Sequence, residues 1–268
     1  MMGIILGVCA MLHSDKIRYM QRLQQAATHQ HFFYTSGRTD LAGFDRLAKK
    51  FAEAYGTELS RQTKHKRRMA GEASTYLHAV RLTARSENGQ RFVDWVLLAS
   101  EGRGLVTQRE QLQDLRDPHS RLKSSDQQHE LVHDGKSWSW RLTHRSYNLC
   151  LDRIHRIASL SPDRRRQIQI DGVLRDADAE ILLDRLYAEP GFRLVRRQVG
   201  KLVAELRRDW KRLRPASGPQ LSKRSFLAYV RFLPDRPVIS GLTHAERREA
   251  FLCAFPEQAE NTVVSRRY

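Results

Sequence analysis

The sequence predicts an α+β fold: an antiparallel sheet with covering helices, then a C-terminal half that is mainly helical and holds a long basic amphipathic helix. Three patterns predict it. Residues 76–85 and 91–100 have strand character and flank Asn88-Gly89, a strong hairpin-turn signal. Residues 129–132 and 137–142 repeat the pattern on a smaller scale around Asp134-Gly135. From residue 191 to 214, Phe192, Val195, Val199, Leu202, Leu206, Trp210 and Leu213 recur at alternating steps of three and four. That spacing forms one apolar stripe on a helix.

In chain order, residues 14–29 read as a helix capped by Ser14, with Ile17, Met20, Leu23 and Ala27 inward. Residues 31–35 read as a short aromatic strand, and Ser36-Gly37 as a turn. Asp40 then caps a helix over 41–55, with Phe44, Leu47, Ala48, Phe51 and Tyr55 on its inner face and Gly56 as its stop. Residues 57–69 are cationic with almost nothing apolar, and read as a solvated loop or helix end. Both faces of the strand over 91–100 are largely apolar, which predicts a central strand with a layer on each side. Asp94 interrupts it, either to neutralise a nearby arginine or as a ligand.

Residues 101–122 read as loop, short helix and loop. Trp138, Trp140 and Leu142 share one face of the second hairpin and are expected in the core, with base stacking by the indoles as the alternative. A helix follows from Thr143, carrying Tyr147, Cys150, Leu151, Ile154 and Ile157 on one side. Further helices are expected over 162–170 and 177–186, then the basic helix. Residues 225–232 read as a strand, and residues 243–255 as a last helix with a capping-box start. The change from strands to helices suggests a sheet region over 1–160 and a mainly helical basic region over 161–268, packed as one unit.

The chain has 268 residues, 40% of them hydrophobic, enough to bury a core. Its 47 Lys and Arg outweigh 30 Asp and Glu, a formal charge of +17 spread over all three thirds of the sequence. Such an excess repels itself in a compact state unless a polyanion neutralises it. Three scattered cysteines, Cys9, Cys150 and Cys253, argue against a disulfide framework or a structural zinc site. Residues 1–12 are apolar but too short to span a bilayer and lack a basic leader. They are expected to be a buried strand or an over-long start, with Met11 or Met20 as the true one. A cytoplasmic chain with no membrane partner is the expectation.

Nucleic acid is the polyanion expected, DNA before RNA. The main phosphate contacts are expected from Arg196, Arg197, Lys201, Arg207, Arg208, Lys211 and Arg212 on the basic helix. A second patch comprises Arg61, Lys64, Arg67 and Arg68, and Arg164 and Arg165 add to the footprint. No Walker loop, dinucleotide fingerprint, GxSxG elbow or HExxH motif occurs, so a cofactor enzyme is not expected. The reading is a non-enzymatic nucleic-acid-binding protein without cofactor, an accessory factor of a mobile element, whose protein partners the sequence does not name.

Two alternatives stand beside it. His29-Gln30-His31 precedes a strand and Tyr147 lies on a later helix. A His-x-His pair, one divalent metal and a tyrosine nucleophile resembles the arrangement of rolling-circle initiators and relaxases, although Gln30 stands where that family has a hydrophobic residue. The resemblance implies a metal-dependent strand-nicking enzyme. The other alternative is an RNA-binding subunit of a ribonucleoprotein, its cationic faces covered only in the complex.

Overall fold

A computed structural model describes residues 11–13, 15–85, 91–161, 164–215 and 218–233. The chain divides into two compact units, residues 1–121 with 232–268, and residues 122–231. Residue 160 lies inside the second unit. The α+β class holds.

The first unit is a five-stranded sheet in the order β1 (Met11–His13), β3 (Thr75–Arg85), β4 (Arg91–Ala99), β2 (Phe33–Asp40), β5 (Gln113–Asp114). Strand β4 is central, as its apolar faces predict. The sheet is mixed rather than purely antiparallel: β1 runs parallel to β3, pairing Met11 with His78. Two layers cover it. Helix α2 (Leu41–Tyr55) places Phe44, Ala48, Phe51 and Tyr55 against Leu77, Ala79, Val93 and Leu97. Helix α1 (Lys16–Thr28) packs on β3, with Tyr19, Met20, Leu23 and Ala27 buried. Its cap is Asp15, which accepts from the Ile17 and Arg18 amides; Ser14 lies outside the described residues. Asp40 and Gly56 cap α2 as expected, Gly56 in the left-handed conformation at φ 69°.

Ser36-Gly37 is not a turn. Both residues lie inside β2, opposite Val96 and Trp95. The glycine is there for space: a Cβ on Gly37 would stand 2.7 Å from the Trp95 ring. The cationic stretch 57–69 is not merely solvated either. It forms α3 (Arg61–Met69), capped by Ser60, and turns Lys64 inward. Asp94 pairs across the sheet with Arg38 at 2.7 Å, which is the neutralising one of its two expected roles. A short α4 (Leu105–Arg109) precedes β5. The turn residues 86–90 are outside the described part.

The second unit contains the hairpin β6 (His129–His133) and β7 (Trp138–Leu142), α5 (His144–Ser159), the hairpin β8 (Gln167–Ile170) and β9 (Val173–Asp176), α6 (Ala177–Tyr187) and α7 (Arg193–Leu213). Trp138, Trp140 and Leu142 are buried, so the indoles belong to the core. Helix α7 packs on α5, α6 and β7, with Val195, Val199, Leu202, Leu206 and Trp210 inward. Each such buried aliphatic contributes about 1.5–3 kcal/mol, so the stripe holds the helix in place despite its charge. The Gln198 side chain accepts from the Leu142 amide at 2.6 Å and donates to its carbonyl at 3.2 Å, completing the free edge of β7.

Two expectations fail in this unit. Among the described residues 164–170 the expected helix is absent: 167–170 form β8, whose alternating Gln-Ile-Gln-Ile has strand period, and Asp171-Gly172 turns the chain with both φ positive. Residues 225–232 are not a strand. Residues 218–231 instead form a strap without regular secondary structure. Trp210 Nε1 donates to the Pro219 carbonyl, Arg196 Nε to that of Leu227, and Val230 N to that of Gly191, so the strap runs antiparallel along one edge of α7. Ser222 and Arg224 fix it to Glu180 on α6. The expected helix over 243–255 and residues 1–10 lie outside the described residues.

Candidate nucleic-acid interface

Helix α7 presents Arg197, Gly200, Lys201, Ala204, Arg207, Arg208, Lys211, Arg212 and Leu213 at its exposed positions. Up to Leu213, every one is a cation or a small residue. The two acids of the helix are withdrawn from this face: Glu205 is half-buried and Asp209 buried. They serve to pin cations. Arg208 pairs with Glu205, and Arg212 with Asp209 at 3.0 Å. Among the described residues no ion pair engages Lys201, Arg207 or Lys211. Neighbouring α5 also carries exposed Arg145 and Arg156, which lie off its apolar stripe.

Three of the expected contacts, Arg196, Arg164 and Arg165, and two further arginines at the ends of the helix, Arg193 and Arg214, are placed differently. Arg196 is half-buried, its guanidinium 3.5 Å from the centroid of the Tyr229 ring. Arg193 fixes the start of α7 by a two-pronged pair with Asp134, whose carboxyl it holds well below the usual range. Arg214 is buried, donating to the Ile157 carbonyl and lying 3.5 Å from Asp176. Arg164 is exposed, whereas Arg165 is half-buried and donates to the Leu160 carbonyl.

In the first unit, Arg61, His65, Lys66 and Arg67 are exposed on α3, and Arg67 lies 3.2 Å from Glu72. Lys64 leaves the set of surface cations. It is buried, with Nζ 2.7 Å from the Thr57 carbonyl, and burial pushes its pKa down to about 7. Arg68 opens onto a shallow cleft of about 410 Å³ lined also by Phe32, Met69, Ser100, Glu101 and Arg116.

The His-x-His pair is split. His29 is exposed at the end of α1, with Nδ1 on the Gln25 carbonyl; His31 is buried against Ser74 and Tyr76. Gln30 between them has φ 66°. Burial, then the charge of Arg68, lowers the His31 pKa to about 4. Tyr147 lies on α5, in the other unit, half-buried. Among the described residues one group has metal-ligand geometry, His155, Glu205 and Asp209, with donor atoms within 4.8 Å of one another. Asp209 already engages His155 at 2.5 Å and Arg212, and Glu205 engages Arg208. Burial raises the Asp209 pKa, but the hydrogen bonds from Arg212 and His155 outweigh it and hold it low. All three side chains of the group are thus engaged in charge pairs along the cationic helix.

Among the described residues no helix is long and apolar enough to cross a membrane. No protein-family model matches the chain, and comparisons with curated proteins and with solved structures find no match. The functional reading therefore rests on the chain's own residues.

Proposed function

We propose that this is a nucleic-acid-binding protein without catalytic activity, and that the exposed face of α7 holds the phosphate backbone. One observation carries the reading: the exposed positions of α7 before Leu213 are cations, Gly200 and Ala204, with both acids drawn back. Like charges stand at i and i+4 in Arg193/Arg197, Arg197/Lys201, Arg207/Lys211 and Arg208/Arg212. Each such pair costs about 0.2–0.5 kcal/mol in an isolated helix. Acids offset three of the four, Arg193 and Arg197 through Asp134 and Arg208 and Arg212 through Glu205 and Asp209, so the repulsion left for a polyanion to relieve is that of Arg207 and Lys211. Gly200 and Ala204 let a ligand approach the helix backbone between the cations.

Exposed arginines of α3 in the first unit, and Arg164 in the second, are further phosphate contacts, each within its own unit, so affinity comes mainly from phosphates and sequence selectivity is low. DNA is the first substrate, and a cytoplasmic accessory role in a mobile element is the setting proposed. The reading requires no cofactor. Strand nicking by His29, His31 and Tyr147 is disfavoured because one imidazole is buried and the other exposed. Anisotropy titrations with duplex DNA, single-stranded DNA and RNA of equal length test the reading. Binding at moderate salt supports it, with preference for RNA promoting a ribonucleoprotein role. No binding to any of the three contradicts it.

A further inference from the structure

The strap over residues 218–231 exposes aromatic rings where an anchored chain has no structural need for them. Phe226 is 92% exposed and Tyr229 65% exposed. A lone exposed ring is ordinary on a protein surface. Here two rings stand three residues apart on an extended segment, about 10 Å along the chain. The segment between and around them is fixed: Leu227 is held by Arg196, and Val230 by Gly191. Gly191 has no side chain because a Cβ there would fall 1.8 Å from the Ala228 carbonyl oxygen, so the strap presses directly on the backbone at the start of α7. Exposed Lys223 and Arg231 flank the rings.

We infer that the strap is a stacking platform for unpaired bases of single-stranded nucleic acid, whose phosphates lie on the adjoining cationic face of α7. The inference rests on the polyanion reading of α7 and adds the strand type. Every base has a flat π face, so exposed rings beside a cationic track bind single strands with little regard to sequence. In a duplex the faces are already stacked and the rings gain nothing. Arg196 has a dual part: its guanidinium covers one face of Tyr229 and its Nε anchors the strap, which leaves the other ring face for a base.

The test uses the full chain and anisotropy with a single-stranded oligonucleotide and its duplex. Phe226→Ala and Tyr229→Ala are each expected to weaken single-strand binding about 5- to 100-fold. Duplex affinity and the salt dependence should stay unchanged. Tyr229→Phe keeps the ring under Arg196 and should bind as the native chain does. Phe226 is solvent-exposed, so its loss leaves folding intact. Equal losses on both forms, or no loss on either, would overturn the inference. If charge removal on α7 flattens the salt dependence while the ring variants change nothing, the inference fails and the polyanion reading stands. If neither oligonucleotide binds, both fall.

Discussion

The Lys64 ammonium lies 3.9 Å from the centroid of the Tyr76 ring and donates to the Thr57 carbonyl. In the sequence Lys64 is one cation among several in residues 61–68. In the fold it is the only buried one on α3, and burial outweighs Glu58 to bring its pKa to about 7.

Lys64→Met is expected to gain stability relative to the native chain as pH falls. The folded pKa of about 7 lies below the ordinary lysine value of 10.5. The lysine's contribution is therefore complete above about pH 10.5 and lost as pH drops toward 7, because the unfolded chain takes up the proton first. The variant lacks this slope. Urea unfolding at pH 9 and pH 7 should show its relative stability rising by about 2 kcal/mol. A constant difference would mean that the amine is charged at no cost in the fold.

His31 gives a second pH signature. Its folded pKa of about 4 lies below 6.5, from burial first and Arg68 second, with Lys64 adding to it. Neutral His78 also sits beside His13, Lys64, Arg22 and His31, and burial and those charges depress it as well. Stability from the His31 ring is present above about pH 6.5 and lost as pH falls toward 4, up to about 3 kcal/mol, and His78 acts in the same direction. In a histidine NMR titration the His31 ring signal should not move until well below pH 6. A midpoint near 6.5 in the folded protein would contradict its burial.

Gly37→Ala should destabilise the first unit by about 1–3 kcal/mol, since its Cβ would overlap the Trp95 ring directly across the β2–β4 pair. Thermal unfolding checks this. An unchanged melting temperature would mean that the indole shifts freely, which its packing on Phe51 opposes.

Much of this fold is legible in the sequence because periodicity is a local signal. Helix α2 with both caps, both hairpins, α6 and the stripe of α7 follow from spacing, Asx caps and glycine stops. The failures have local causes too. Gly37 reads as a turn until Trp95 across the sheet explains it. Residues 162–170 read as a helix because Pro162 and the arginine run look like a helix start, which masks the QIQI alternation. Residues 225–232 alternate like a strand, yet find anchors on helices rather than a strand partner. For the site, the sequence shows where the cations are but not which are engaged: Lys64, Arg193 and Arg214 are taken up by tertiary partners that no spacing reveals.

The role of α7 is tested by the slope of log affinity against log salt, for the native chain and for a variant with Arg207, Arg208, Lys211 and Arg212 changed to Ala. Every phosphate that is no longer neutralised should reduce the slope by about 0.7–0.9. Arg207 and Lys211, outside any ion pair among the described residues, should contribute fully, and Arg208 and Arg212 less, because they must leave Glu205 and Asp209. The expected reduction is about 2–3 in slope, with Arg207→Ala alone costing more affinity than Arg208→Ala. Parallel lines for the native and quadruple variants would contradict phosphate binding by this helix and remove α7 from the binding surface.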